Sequence, residues 1–162
     1  MTELFPELAG EVIRACRAKG LRLATAESCT GGLVCGALTA IPGSSDVVEC
    51  AYVVYSYAAK SLMLDIPAEM LREHGAVSLA VAAAMADNAI AASGCDLAVS
   101  VTGVAGPGGS ENKPAGMVCF GIASKAGNTV TELVEFGDIG RENVRVGSIR
   151  KALELLLAAT TG

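Results

Sequence analysis

Three stretches of this 162-residue chain combine side chains and spacings that could do chemistry. The first is Thr25-Ala26-Glu27-Ser28-Cys29-Thr30-Gly31-Gly32, between a strand-like run and a helical one. With Ser28 as N-cap, its hydroxyl would sit where the unpaired N–H groups of a first helical turn converge. Such donors can hold an anion, either a phosphate or the oxyanion of an acyl-transfer intermediate. Gly31 and Gly32 leave a ligand room to approach. The plain alternative is an ordinary Ser/Thr cap with a glycine pair that permits tight packing. The octet alone does not separate the two.

The second stretch is Tyr55-Ser56-Tyr57-Ala58-Ala59-Lys60. A serine nucleophile needs a base, and the only histidine, His74, lies in a stretch that reads as exposed. A lysine becomes a base when desolvation lowers its pKa. Lys60 follows a strongly apolar run, so its amine could reach a buried pocket. The alternative is a solvated helix lysine flanked by half-buried strand aromatics, Tyr55 and Tyr57.

The third stretch runs from Thr102-Gly103-Val104-Ala105-Gly106 through Pro107-Gly108-Gly109-Ser110 to Lys113-Pro114-Ala115-Gly116. A glycine loop after a strand end is a usual ligand position in open α/β sheets. It has neither the P-loop pattern nor the dinucleotide fingerprint. Ser110-Glu111-Asn112-Lys113 spells S-x-x-K, but Lys113 precedes Pro114, which disfavours the helix that motif needs. Further on, Arg141 and Arg145 share one face of a predicted helix and could clamp a phosphate or carboxylate. Pairing with Glu142 or the C-terminal carboxyls is the simpler reading.

The elements that must position these groups alternate. Apolar periodicity predicts a helix over 5–19 stopped by Gly20, a strand over 21–27 and a helix entered directly at Ser28. A strand follows over 47–56, short helices over 57–64 and 68–73, and an Ala-rich helix over 77–93 ended by Gly94. Next come a strand over 95–103, the loop 104–116, and a hairpin of 117–124 with 129–136. A last helix runs from Arg141 to about Ala159. This order predicts one α/β domain over 1–162, a three-layer α/β/α sandwich on a mixed, mostly parallel sheet of about five strands.

Composition narrows the function classes. Apolar residues make up 52% and charged residues 18%, which excludes disorder. Mean hydropathy of +0.50 raises the membrane question. The longest uncharged run, Ser28 to Ser45, holds four glycines and a proline, so no bilayer span is expected. No signal peptide is read at the N-terminus, and a subunit interface is the expected use of the excess apolarity. A net charge of −5 without a basic run argues against nucleic acid over a large surface. The six cysteines form no CxxC pair and a lone histidine completes no zinc set, so no metal is expected. Five read as small buried hydrophobes in a reducing cytoplasm. Cys29 stays open, as a rival nucleophile at a helix start.

Taken together, TAESCTGG, Y-S-x-x-A-K, H-G-A-V-S at 74–78, TG-x-AGP, KP-x-G and G-x-x-x-x-R-x-x-x-R resemble the CinA C-terminal domain family from about residue 5 to 160. The resemblance implies a cytoplasmic, cofactor-free nicotinamide mononucleotide amidohydrolase of pyridine nucleotide salvage, with a three-layer fold. It is similar to the stand-alone deamidases of that family, which assemble as homo-oligomers, so a dimer or tetramer is expected. Its partner is then a small nucleotide, not a nucleic acid or a membrane. The resemblance puts the nucleophile at Ser28, the base at Lys60 and an assisting Tyr55 near the lysine. Backbone donors of Thr30, Gly31 and Gly32 would form the oxyanion hole, beside Cys29. Thr102, Gly103, Ala105, Gly106 and Arg145 would line the nucleotide site. The chain departs from the family's pattern twice: Tyr57 stands where asparagine is common, and the glycine loop is one residue shorter. A domain that binds a nucleotide without hydrolysing it is the alternative of another class.

Overall fold

The computed structural model describes residues 4–161, so Met1–Glu3 and Gly162 of the expected domain lie outside the described residues. Five strands form one sheet in the order β2-β1-β3-β4-β5: β1 Leu23–Glu27, β2 Val48–Val53, β3 Leu97–Gly103, β4 Met117–Ser124 and β5 Val130–Glu135. β1 pairs in parallel with both β2 and β3, whereas β3–β4 and β4–β5 are antiparallel. β4 alone therefore runs against the other four, and the sheet is mixed and mostly parallel by direction.

Side chains alternate across each strand. Leu23, Val99, Val101 and Phe120 pack with the helices α1 (Pro6–Lys19), α2 (Leu33–Thr39) and α6 (Arg141–Thr161). Ala26 and Ala98 face the other layer, α3 (Tyr57–Leu64), α4 (Ala68–His74) and α5 (Leu79–Ser93). The second face is built from small residues because α5 lies very close to it. Ser100 Oγ donates to Ala82 O at 2.6 Å, and a Cβ on Gly121 would stand 2.5 Å from that same carbonyl.

Helix ends follow the expected signals. Gly20 and Gly94 close α1 and α5 in left-handed geometry, and Ser78 Oγ accepts from Val81 N–H at the start of α5. Two boundaries differ by three residues or more, both beside the site. The helix expected to begin at Ser28 begins at Leu33, because Gly31 (φ 60°) and Gly32 (φ 95°) turn the backbone left-handed. The strand expected to reach residue 56 ends at Val53, where the next two carbonyls turn toward Lys60. Among the described residues, no helix is long and apolar enough to cross a membrane.

Candidate active site

The segment from β1 to α2 is organised by Glu27. This carboxylate is fully buried and sits in front of the short helix that the glycine turn displaced. Its oxygens accept from Thr25 Oγ1 (3.0 Å) and Thr30 Oγ1 (2.7 Å), and from the N–H groups of Gly32 (3.0 Å), Val34 (3.1 Å) and Cys35 (2.9 Å). A charge so deep in the fold is tolerated because hydrogen bonds replace its lost hydration. Ser28 is therefore not the N-cap of α2. It is held instead by its own N–H, donated to Val101 O at 2.9 Å, which extends the β1–β3 pairing by one step.

From the opposite layer, α3 brings in Lys60. Its side chain is 1% exposed, and its Nζ donates to Val54 O (2.8 Å), Tyr55 O (3.3 Å) and Ser28 Oγ (3.0 Å). The carbonyls take two of the amine's three positions. The third, a donor in the ammonium and a lone pair in the neutral amine, points at the serine hydroxyl. Burial lowers the Lys60 pKa, offset in part by the negative charge that Cys29 and Glu111 can present. A serine beside a desolvated lysine is an arrangement able to activate the hydroxyl by proton removal.

Ser28 and Lys60 open into a cavity of about 320 Å³, whose far wall is the 104–116 loop. Thr102, Gly103, Ala105 and Gly106 line it, as does Cys29. The Cys29 side chain also belongs to the hydrophobic core, and burial pushes its thiol up to about 11, so at neutral pH it is no thiolate. Tyr55 also lines the cavity, but its hydroxyl accepts from Arg141 Nη2 at 2.9 Å, and what reaches Lys60 is its main-chain carbonyl. Among the described residues, no group of His, Cys, Asp or Glu is placed to hold a metal ion.

Several expected contacts are corrected. Thr30, Gly31 and Gly32 do not line the cavity. The Gly32 N–H is taken by Glu27 and the Gly31 N–H by Ser28 O, so neither is available as an oxyanion donor. Arg145 also stays outside. Its Nε donates to Cys29 O at 3.1 Å and its Nη2 to Thr30 O at 3.4 Å, bracing the serine's loop from behind. The arginine in the cavity is Arg141, one turn earlier, which donates to Gly106 O at 2.7 Å. Neither arginine is ion-paired among the described residues.

Sequence reasoning missed Glu111. It sits with Asn112 at the tip of a two-residue turn closed by paired Ser110–Lys113 backbone bonds, both residues at positive φ. Its carboxylate accepts from the Tyr57 hydroxyl, from Ala76 N–H (3.1 Å) and from Val77 N–H (3.2 Å), with Lys113 Nζ 3.6 Å away. Burial pushes the carboxyl up, but the Tyr57, Val77 and Ala76 donors and the Lys113 charge outweigh it and hold the pKa below the ordinary value. The rejected S-x-x-K marks this turn, and its residues serve as clamps. Only the missing helix was legible, through Pro114.

Known proteins resemble this chain in sequence and in fold. The CinA C-terminal domain matches residues 6–160. A CinA-like protein of Mycobacterium sp. (strain JLS) is 49% identical over 142 residues, 86% of this chain and 33% of that protein. One from Anaeromyxobacter dehalogenans (strain 2CP-1) is 44% identical over 154 residues, covering 94% and 37%. The chain thus spans about a third of the length of the curated relatives it matches. Among solved structures, the competence/damage inducible protein CihA from Agrobacterium tumefaciens superposes with a TM-score of 0.93 at 44% identity, over 100% of this chain and 98% of that one. A competence-damaged protein (CinA) superfamily protein from Escherichia coli gives 0.90 at 35% identity, over 94% and 88%. With the family's domain matched over residues 6–160 and these relatives and structures 35–49% identical over most of its length, the chain belongs to the CinA C-terminal domain family.

Proposed function

We propose that this domain is a serine amidohydrolase that converts nicotinamide mononucleotide to nicotinate mononucleotide and ammonia. One observation carries the reading: a buried, desolvated lysine amine lies 3.0 Å from the hydroxyl of Ser28 at the floor of a cavity. Neutral Lys60 takes the Ser28 proton as Oγ attacks the amide carbon. The oxyanion falls to the main chain beside Ser28, where the N–H of Cys29, which lines the cavity, has no main-chain acceptor among the described residues. Lys60 then returns its proton to the departing nitrogen, ammonia leaves, and water attacks the acyl-enzyme with Lys60 again as base. Tyr55 supports this cycle through its carbonyl, which orients the amine. The burial of the Cys29 thiol speaks for the alcohol rather than the thiol as nucleophile.

The nucleotide's anionic end is assigned to the loop wall, where Arg141 is the cavity's guanidinium. Thr102, Gly103, Ala105 and Gly106 make the remaining contacts, and Arg145 acts by holding the Cys29 and Thr30 carbonyls. The proposal needs no cofactor, and it takes the protein to be a cytoplasmic homo-oligomer.

The test is ammonia release from nicotinamide mononucleotide. Lys60→Ala is expected to lose about 10²–10⁴-fold in kcat, and Ser28→Ala on the order of 10⁶-fold. Unimpaired release from either variant rejects the mechanism. Tight binding of the nucleotide by calorimetry with no release from the wild type would make the domain a binding module.

A further inference from the structure

Tyr57 and the 104–116 loop meet in space. Tyr57 is the first residue of α3 and precedes Lys60 by one turn, so the two side chains lie on neighbouring positions of one helix face. The Tyr57 hydroxyl donates to Glu111, the tip of the loop. The contact is extended by Ala76 and Val77, whose N–H groups complete the carboxylate's shell. Lys113 closes it, donating to His74 O at 3.0 Å and to Val77 O. The site is fitted tightly around the carboxylate: a Cβ on Gly75, at φ 74°, would stand 2.6 Å from Glu111 Oε2.

Two features show that this contact holds the loop rather than merely touching it. Glu111 and Asn112 adopt φ of 53° and 61°, the left-handed pair of the turn closed by Ser110 and Lys113, and at Glu111 this is a conformation that a glutamate rarely takes. The loop between its ends is rich in glycine, with Gly106 and Gly108 also left-handed, and has little stiffness of its own. It is fastened at one end by Arg141, bonded to Gly106 O and the Tyr55 hydroxyl, and at the other by Glu111 and Tyr57. The two tyrosines flank Ser56, so both fastenings return to the segment that carries Lys60.

We propose that Tyr57 and Glu111 are a positioning pair that latches the 104–116 loop to the start of α3, setting the distance between the loop wall and Ser28–Lys60 and so the fit of an anionic substrate. The latch also turns the Glu111 charge toward its own donors, away from a negatively charged ligand. Its kinetic consequence rests on the amidohydrolase reading, whereas its structural consequence does not.

Tyr57→Phe, Glu111→Ala and the double variant test it in the full chain by amide hydrogen exchange and by kinetics. Tyr57 is 43% exposed, so its loss of one hydroxyl leaves the core intact. Each single variant is expected to speed exchange over 104–113 and at Ala76 and Val77 by about tenfold. The double variant should exceed Glu111→Ala by less than twofold, because the pair acts as a unit. With nicotinamide mononucleotide, each should raise KM by a larger factor than it lowers kcat. Exchange at wild-type rates in both single variants, or independent effects that multiply in the double one, would overturn the latch. If the wild type releases no ammonia, the amidohydrolase reading fails while the exchange result still decides the latch.

Discussion

Glu27 gathers its donors from within eight residues of itself, whereas Glu111 gathers them from segments up to 54 residues away. Glu111 lines the cavity and accepts N–H groups just ahead of α5, whereas Glu27 lies outside its lining and accepts N–H groups at the start of α2. Glu27 is closed off by a turn of its own chain, is fully buried, and fixes the loop that presents Ser28. Glu111 sits on a turn at the surface and joins α3, the approach to α5 and the glycine loop. On the proposed amidohydrolase function, the difference separates two jobs. A nucleophile needs a rigid seat, which local hydrogen bonds supply cheaply in entropy. A substrate wall must assemble from several elements, and only a long-range contact can register them.

The largest expected effect comes from Glu27→Ala. Removing it strands three N–H groups and two buried hydroxyls, and we expect a loss of about 3–5 kcal/mol in urea denaturation together with activity. Glu111→Ala should cost only about 1 kcal/mol by the same measurement, since water can reach its donors. Equal losses would erase the contrast.

Lys60 reports on one of the two carboxylates, Glu111. Its pKa is lowered by burial, so the amine charges only as pH falls below the ordinary 10.5. The sign follows: log kcat/KM should climb by about one per pH unit on an acid limb whose midpoint lies below 10.5. The folded state binds fewer protons than the unfolded chain between that midpoint and 10.5, so the Lys60 contribution to stability rises with pH across the same window. Glu111 pulls the value up, so Glu111→Ala should move the limb to lower pH by roughly a few tenths of a unit. A profile unmoved by that change would remove Glu111 from the electrostatics of the site.

Gly75→Ala sharpens the contrast further. The added methyl meets Glu111 and Lys113 rather than backbone, at a position already at φ 74°. We expect a destabilisation of about 1–2 kcal/mol by thermal or urea unfolding, with faster exchange over the loop and unchanged protection of α2. The smallest effect is acid release of the latch. Glu111 is held below its ordinary 4.5, so its contribution is present above that value and is lost as pH falls through the folded pKa. Loop exchange, corrected for intrinsic rates, should quicken there before β1 and β3 open.

Much of this was legible along the chain, for identifiable reasons. Apolar periodicity and stop residues such as Gly20 and Gly94 are local signals, and the elements they delimit are present within a few residues of the expected ends. The start of α2 was misread because Ser28 has the composition of a cap. The cap position is Gly32, and the N–H groups at the start of the helix are taken by Glu27, reached across two left-handed glycines. Arg145 and Arg141 could not be told apart by spacing. Four residues place both on one face, and only the three-dimensional fold decides which enters the cavity and which braces the Cys29 carbonyl. Tyr55 had the right position and the wrong atom, since the main chain rather than the phenol meets the lysine.

The linear chain by itself determined the layered α/β class and the family, because each rests on patterns that close within a few residues. The tertiary structure alone decided that Lys60 loses its water, that Arg141 rather than Arg145 faces the cavity, and that Glu111 meets Tyr57. Each of those depends on how two layers and a loop close on one another. Desolvation and hydrogen-bond geometry are properties of that closure and have no counterpart in residue spacing.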